Sequence, residues 1–339
     1  MPPVFPLARN PAGPAPVRRP GSVRRTSTID TSWPEGMTGS MLMRGHARDV
    51  WTPLEGGDPR VLAEDRFTIT ASPAREILSI ETWPNRPGAQ QLVGVRGGGQ
   101  SRKALAEIMA TDREAGTPLY LILDDYAGAS LVAGWVWSLW VADWRAQMEK
   151  AGPQSGAPRR GSMEGVCTGF APGSSALNRD NGSDIGVPSR TPVLSLINPD
   201  DPLGWHGLAV QDGVGMRRAR RIDVWRDGED LAIDVGFQDS GTSPDGPGRI
   251  AIHEYHVTAR STGEPLTLTE LNTRAHILPF PECPGAVANA RRMLGAPLLD
   301  MRARVLETLP GTLGCTHLND VLRSMAETPQ LAAYLAVRR

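Results

Sequence analysis

The chain has 339 residues, which is enough for one large domain or two ordinary ones. Hydrophobic residues make up 40% of it and charged residues 22%, a composition typical of packed globular proteins and not of disordered or fibrous ones. The formal net charge of −1 provides no overall field that would attract nucleic acid or an anionic membrane. We therefore expect neither of these as a partner.

Residues 1–25 are rich in proline and arginine and lack the apolar segment of a signal peptide. They are predicted to be a disordered tail, and residues 329–339 a second tail at the other end. The longest apolar run, residues 127–142, is shorter than the roughly 20 residues of a membrane span. We expect a cytoplasmic protein whose three cysteines are reduced thiols.

Apolar runs in the first half predict four short strands, at residues 66–71, 76–82, 92–95 and 119–123. The first two are expected to form a hairpin. Helical spacing of apolar residues and flanking glycines predict two helices, at residues 102–115 and 130–150, the second rich in tryptophan. Loop insertions are predicted near residues 151–163 and 171–192, where Gly, Pro, Ser and Asn are frequent.

The second half predicts an antiparallel meander of four strands, at residues 221–226, 230–237, 249–260 and 266–273. Three short helices follow, beginning near Pro284, Pro297 and Thr316. Strands followed by helices indicate an α+β fold in which the sheet packs against the tryptophan-rich helix and the C-terminal helices. We expect a single domain over residues 26–328, and we find no internal repeat.

Cys315 and His317 lie at the predicted start of the last helix, where free backbone N–H groups lower the pKa of a thiol. Cys283 lies at another predicted helix start, and Cys167 lies in a turn. Together these four side chains would make a Cys₃His zinc site if they converge. The alternatives are a reactive thiol without metal and three inert cysteines buried in the core.

His253 and Glu254 are adjacent in a predicted strand and therefore point to opposite faces of the sheet. Tyr255 is expected on the face of His253, and His256 on the face of Glu254. His253 and Glu254 are candidates for proton transfer in acid/base catalysis. The alternative is that Glu254 and His256 form a surface pair on one face of the strand.

Three aspartates are further candidates for a general base or a metal ligand. Asp124 and Asp125 end the predicted strand at residues 119–123, and strand ends are places where active sites commonly open. The competing interpretation is that one of them caps the following helix. Asp239 is the third acidic candidate, with a simple role in a turn as its alternative.

The densest basic segment is residues 216–221, which contains four arginines. Without interleaved aromatic residues, this pattern is more typical of a solvated strand edge than of a nucleic-acid site. A glycine-rich turn at residues 97–99 precedes a predicted helix, but it fits neither phosphate-binding glycine motif. We therefore predict no nucleotide cofactor.

Several of these segments occur together in one known family. They are Arg24 to Asp30, Leu123-Asp124-Asp125, Gly165-Val166-Cys167, the Pro279 to Cys283 spacing and Gly314-Cys315-Thr316-His317-Leu318. With them the chain resembles an uncharacterised bacterial family, domain of unknown function 2889, over most of its length. The resemblance implies one family-sized unit and supplies no catalytic residues.

The sequence therefore favours a cytoplasmic bacterial enzyme, a lyase or hydrolase, that acts on a small organic molecule. Its Cys/His centre would hold a metal such as zinc or act as a thiol centre, and no redox-cofactor motif is present. The alternative is a non-catalytic protein that binds a small ligand or serves as an accessory subunit. The sequence does not indicate an oligomeric state.

Overall fold

One nine-stranded sheet runs through the computed structural model, which describes residues 1–55, 57–150, 163–177 and 190–336. Every pair of neighbouring strands in it is antiparallel. The strands are β1 (Ser22–Ser32), β2 (Met41–Thr52), β3 (Arg60–Ala71), β4 (Ile77–Trp83), β5 (Thr191–Val193), β6 (Gly215–Asp227), β7 (Asp230–Thr242), β8 (Arg249–Thr262) and β9 (Thr267–Ile277). Their order is β4-β3-β2-β1-β6-β7-β8, after which both β5 and β9 pair with β8.

The helices fall between β4 and β5 and after β9. They are α1 (Gly99–Ile108), α2 (Ala110–Ala115), α3 (Pro118–Ala133), α4 (Trp137–Trp140), α5 (Trp144–Lys150), α6 (Gly285–Asn289), α7 (Met301–Thr308), α8 (Thr316–Ser324) and α9 (Thr328–Ala336). The sheet together with these helices confirms the predicted α+β class. Among the described residues, no helix is long and apolar enough to cross a bilayer.

The sheet consists of two four-stranded meanders, β1–β4 and β6–β9, joined through their first strands. Arg24 on β1 donates two hydrogen bonds to Asp223 on β6, at 2.6 and 2.9 Å. Arg217 on β6 donates to Asp30 on β1 at the same two distances. These residues belong to one pattern, Arg-Arg-x-x-x-Ile-Asp, which occurs in both strands. The fold therefore contains an internal repeat, which corrects the expectation that the chain has none.

Two hydrophobic clusters follow the two meanders. One joins β6–β9 to the C-terminal helices, and the other joins β1–β4 to α1 and α3. Helix α3 is buried along almost its whole length, and its N-cap is Thr117, whose side chain accepts a hydrogen bond from the Tyr120 amide. The helices thus cover one face of the sheet. The functional groups described below lie between this face and the helices.

The structure confirms the hairpin of the first half, now β3 and β4, and the meander of the second half, now β6 to β9. It also confirms helices near the three predicted starts in the C-terminal part. The predicted strand at 119–123 is wrong, because these residues form the first turns of α3. A short continuous apolar run is compatible with a buried helix as well as with a buried strand.

Two other predictions of the first half also differ from the structure. Residues 92–95 are not a strand, since a 3₁₀ helix ends at Leu92 and a turn follows. The tryptophan-rich helix at 130–150 is divided into the end of α3, α4 and α5, with an extended break at Val141.

The predicted tails are also shorter than expected. Residues 22–25 belong to β1, and residues before them run along the sheet, where Asn10 donates a backbone hydrogen bond to the His276 carbonyl. At the other end, Thr328–Ala336 form α9. The predicted loop insertions fall largely at residues 151–162 and 178–189, outside the described residues.

Candidate metal centre

Three side chains lie in one row across neighbouring strands of the second meander. Arg218 on β6 is directly opposite Asp239 on β7, and Asp239 is directly opposite His253 on β8. Residues opposite each other in antiparallel strands point to the same face. This face carries the C-terminal helices. A register shift follows at once, between Asp239 and Ser240.

His317 reaches the same place from helix α8. Cys315 is the N-cap of this helix, so His317 lies in its first turn. The imidazole rings of His317 and His253 are stacked, with centroids 3.5 Å apart and an angle of 18° between the ring planes. The Phe237 ring lies beside them, with its centroid 6.5 Å from that of His317. The helix thus delivers a second imidazole to the row on the sheet.

Asp239, His253 and His317 form a group whose ligand atoms all lie within 4.8 Å of one another. The Asp239 Oδ2 atom is 3.5 Å from His317 Nε2 and 3.7 Å from His253 Nδ1. Both distances exceed the roughly 2.7–3.2 Å of an N–H···O hydrogen bond. Both nitrogens are buried and have no hydrogen-bond partner in the structure.

These distances match the spacing of donors around a metal ion. Bonds of roughly 2.0–2.2 Å to zinc in tetrahedral geometry separate neighbouring donor atoms by about 3.4 Å. Two imidazoles and one carboxylate are also a donor set found at catalytic zinc and non-haem iron sites. Asp239, His253 and His317 therefore supply the donor types of a transition-metal site, and one of the two stacked rings would have to turn for both nitrogen lone pairs to reach the same ion.

Arg218 fixes the carboxylate of this group. Its Nε and Nη2 atoms donate to the two oxygens of Asp239 at 2.9 and 3.0 Å, and its Nη1 donates to Asp320 at 2.9 Å. Burial opposes its charge, but the carboxylates of Asp239 and Asp320, with Asp125 nearby, outweigh burial and raise the pKa of Arg218. Arg218 thus stays charged, and each oxygen of Asp239 keeps a lone pair for a metal.

The two histidines are in the protonation state that a metal needs. Burial lowers the pKa of His317 well below its ordinary value, and the charge of Arg218 lowers it further. Burial also lowers the pKa of His253 well below its ordinary value, with His317 as the next cause. Both rings are therefore neutral near neutral pH and present a lone pair.

The three cysteines lie close to this group but not in it. Burial raises the pKa of Cys167 to about 12, and it also raises the pKa values of Cys283 and Cys315. For Cys315 this direction is opposite to the lowering that a helix start favours, because desolvation outweighs the helix dipole. All three are therefore neutral thiols near neutral pH.

The thiols gather around Tyr255 and Gly169. The hydroxyl of Tyr255 interacts with the Cys315 sulfur, and a methyl group added to Gly169 would lie 2.6 Å from Cys283 Sγ and 3.9 Å from Cys167 Sγ. The Cys315 Sγ atom is 4.0 Å from His317 Nδ1. Among the described residues, however, no group of three or more ligand atoms that lie within 4.8 Å of one another contains a cysteine. His317 therefore lies with Asp239 and His253, and not among three sulfurs.

Glu254 points to the face of the sheet opposite His253, because consecutive residues of a strand alternate between the two faces. Its carboxylate accepts hydrogen bonds from Gln238 Nε2 at 2.9 Å and from the Ala12 amide at 2.8 Å. Burial raises its pKa. Glu254 lines a cavity on that face together with His256. His253 and Glu254, both candidates for proton transfer, thus lie on opposite faces of β8, as expected from their positions in the strand.

Asp124 and Asp125 lie within α3 and not at a strand end. Asp124 accepts hydrogen bonds from Arg302 and Arg323, and Asp125 accepts them from Arg220 at 2.5 and 2.9 Å. Burial acts against the charge of Asp124, but Arg302 and Arg323 outweigh it and lower its pKa. Both carboxylates are therefore held in buried ion pairs, and neither belongs to the group of metal donors.

The basic segment at 216–221 is a central strand and not a solvated edge. Its four arginines alternate between the two faces of β6 and are all buried in ion pairs with aspartates. The sequence could not indicate the role of Arg218, because the aspartates that pair with it are distant in the chain. A signal that was available is the Arg-Arg-x-x-x-Ile-Asp pattern that this strand shares with β1.

The first meander repeats part of the row. Arg25 on β1 donates to both oxygens of Asp49 on β2, as Arg218 does to Asp239. The residue opposite Asp49 on β3 is Ala63, where the second meander has His253. The first half therefore has the arginine–aspartate pair without the imidazole, and the donor set is complete only in the second half.

The comparisons with known proteins point to the same half. Neither the curated proteins nor the solved structures give a match. The model of the family described as "Protein of unknown function (DUF2889)" matches residues 216–330. This region begins in β6 and includes Asp239, His253 and His317. The resemblance to that family is confirmed for the part of the chain that carries all three donors.

Proposed function

We propose that the protein is a metal-dependent enzyme whose centre is a zinc ion bound by Asp239, His253 and His317. One observation carries the proposal. Two buried imidazole nitrogens lack hydrogen-bond partners and lie 3.5 and 3.7 Å from one carboxylate oxygen. Unsatisfied buried polar atoms are rare in native proteins, and an ion accounts for all three donors at once.

Three protein ligands leave the fourth position of a tetrahedral ion for water or substrate. A zinc ion there would supply a bound hydroxide near neutral pH or polarise a carbonyl group. Both roles suit a hydrolase or lyase that acts on a small organic molecule. In this centre Cys315 contacts the ligand His317 and does not bind the ion, so the Cys/His centre expected from the sequence becomes an Asp/His centre with a thiol beside it.

Arg218 would act as a positioning residue. Ligands of metal sites are commonly held by a second layer of hydrogen bonds, and their loss weakens metal binding. Arg218 holds Asp239 with two bonds and is itself neutralised by Asp320. The carboxylate therefore keeps one orientation and one negative charge to offer the ion.

A second candidate function is a metal with a purely structural role, in a protein that binds a small ligand without catalysis. The deep burial of Asp239, His253 and His317 favours this structural role. The Asp239 side chain has no exposed surface, and the side chains of His253 and His317 are 7% and 12% exposed. An ion in this place would tie α8 to the sheet. The two candidates differ in whether the fourth position accepts an external ligand.

Cobalt substitution tests the proposal and separates the two candidates. Co²⁺ added to metal-free protein should give the visible absorption of a tetrahedral site, and acetohydroxamate should shift these bands. Bands that acetohydroxamate does not change would favour the structural metal. Absence of any cobalt spectrum at saturating Co²⁺ would contradict both.

A matched pair of variants assigns the site. His317→Gln should abolish the cobalt spectrum. His46→Gln should leave it unchanged, although His46 also packs against a histidine, His206, with ring centroids 4.1 Å apart and an angle of 47° between the ring planes. Both nitrogens of His206 already contact threonine hydroxyls. An unchanged spectrum in His317→Gln would place the cobalt elsewhere.

A further inference from the structure

The face of the sheet opposite the metal centre holds a cavity of about 460 Å³. Its floor is formed by β6, β7, β8 and β9, and its roof includes residues 12–16. The volume falls within the range of small-molecule sites, roughly 300–1,000 Å³. The cavity shares β7 and β8 with the metal centre, because Gln238 and Glu254 line it while their neighbours Asp239 and His253 point the other way.

The cavity is open because its floor has small residues at its middle. Ala219 on β6 and Gly236 on β7 line it there. A methyl group added to Gly236 would contact only the Arg221 side chain, at an ordinary 3.5 Å or more. The three atoms nearest to this methyl group all belong to the Arg221 side chain, so a larger residue at position 236 would project into the cavity beside the Arg221 guanidinium.

The roof is tied to the floor by specific bonds. The Ala12 amide donates to Glu254 at 2.8 Å, and the Ala15 amide donates to the Leu196 carbonyl at 3.0 Å. Ala15, Trp205 and Ala219 are buried in a small apolar cluster. The partly buried side chains of Leu196, Ile197 and Leu208 pack against it. One end of the cavity is therefore apolar and carries an indole ring.

The charged side chains that line the cavity differ in whether they already have a partner. The Arg221 guanidinium is bound by Asp223 and Asp234, and the Glu254 carboxylate already accepts two hydrogen bonds. Arg274 lines the same cavity, is exposed and forms no ion pair with any described residue. The cavity thus presents one cation whose charge no neighbour neutralises.

Two buried rings in the lining also have free polar atoms. His276 Nδ1 donates to the Asn10 carbonyl at 2.9 Å, while its Nε2 has no partner. Trp205 Nε1 also has no partner. His276 and Trp205 are 8% and 5% exposed, so water does not compensate these atoms fully. The Trp205 N–H lacks an acceptor, whereas His276 Nε2, whose ring carries its proton on Nδ1, lacks a donor.

We propose that this cavity is a second site, which binds a small organic monocarboxylate with an apolar or aromatic body. The body packs on Trp205 and Leu196, and the carboxylate pairs with Arg274. Arginine–carboxylate pairs are strong and directional, and an apolar wall with a few placed polar groups is the usual composition of a small-molecule site. The site is independent of the metal centre, since it uses the other face of the sheet.

Fluorine NMR with 4-fluorobenzoate as the probe tests this site in the full-length protein. The ¹⁹F signal should shift or broaden saturably with the parent protein. The neutral 4-fluorobenzamide and the cationic 4-fluorobenzylamine, which have the same ring, should bind far more weakly. Equal binding of the three compounds, or no saturable binding of 4-fluorobenzoate, would overturn the proposal.

Variants locate the binding within the cavity. Arg274→Gln should weaken 4-fluorobenzoate binding by about tenfold or more, as expected for the loss of a charged hydrogen bond. Gly236→Val should fill the floor and abolish binding while the circular dichroism spectrum stays that of the parent. Arg292→Gln removes another exposed arginine and should change nothing. Binding that survives both cavity variants would place the ligand elsewhere and refute the assignment.

Discussion

The imidazole ring of His253 on β8 stacks on that of His317 in the first turn of α8 at a centroid distance of 3.5 Å. The contact joins the sheet to the C-terminal helices at a point where both rings also face Asp239. Without an ion, the two buried imidazole nitrogens that face Asp239 have no hydrogen-bond partner. Metal removal and substitutions around these residues can therefore test the proposed site.

Metal removal should lower the stability of the parent protein and not that of a ligand variant. An ion that binds only the folded state stabilises it by about 2.7 kcal/mol when present at a hundred times its dissociation constant. A chelator should therefore lower the melting temperature of the parent, measured by calorimetry, and leave that of His317→Gln unchanged. An equal effect on both proteins would argue against His317 as a ligand.

Arg218→Met should destabilise the protein by about 3–5 kcal/mol, because it leaves Asp239 buried without its arginine partner and leaves Asp320 with Arg102 alone. Urea unfolding measures this loss. The matched control is Arg226→Met on the same strand, where the arginine is exposed and the change should be within about 0.5 kcal/mol of zero. A loss below about 1 kcal/mol for Arg218→Met would show that its ion pairs are not needed for stability.

Gly128→Ala should be poorly tolerated, because the added methyl group would collide with the Arg218 guanidinium and the Asp320 carboxylate. Overpacking of this kind typically costs about 1–3 kcal/mol, and more where an ion pair is displaced. Gly134→Ala, just after the same helix, meets no atom within 4 Å and serves as the control. Equal melting temperatures for the two variants would mean that α3 can move away from β6 at no cost.

Alkaline pH should destabilise the protein through its thiols. Burial raises the pKa of Cys167 from 9.0 to about 12, so the unfolded chain loses this proton first as the pH rises. The stability it provides is complete below pH 9 and is lost between pH 9 and about 12. Between about pH 8 and about pH 10.5, Cys167→Ala should lose up to about 2 kcal/mol less stability in urea than the parent. An identical loss in both proteins would indicate that Cys167 titrates as in the unfolded chain.

The sequence predicts the strands of the second meander well because they alternate apolar with polar residues. It fails at α3 because that helix is buried nearly all round and loses the amphipathic period that identifies helices. It misses β1 and the internal repeat because their arginines and threonines look like a solvated segment. The buried ion pairs of Arg24 and Arg25 become visible only when the partner strands are in place.

The three donors of the proposed site each have a candidate role in the sequence, but not as one group. His317 is a candidate metal ligand beside the cysteines, His253 is a candidate for proton transfer, and Asp239 is a third acidic candidate beside Asp124 and Asp125. The sequence could not group them, because the row depends on the register of β7 against β8 and on the position of α8. The cysteines are candidate ligands because of their thiol chemistry. Cys315, however, is more than 90% buried, and its sulfur contacts His317 Nδ1 at 4.0 Å.

The most direct test is the metal content of the protein, purified without an affinity tag and measured by inductively coupled plasma mass spectrometry. The account predicts one zinc ion per chain in the parent and in His46→Gln. It predicts none in Asp239→Asn or in His253→Gln, each checked for a folded circular dichroism spectrum. Parent protein that retains no transition metal after dialysis against zinc, or folded ligand variants that retain it in full, would contradict the metal centre.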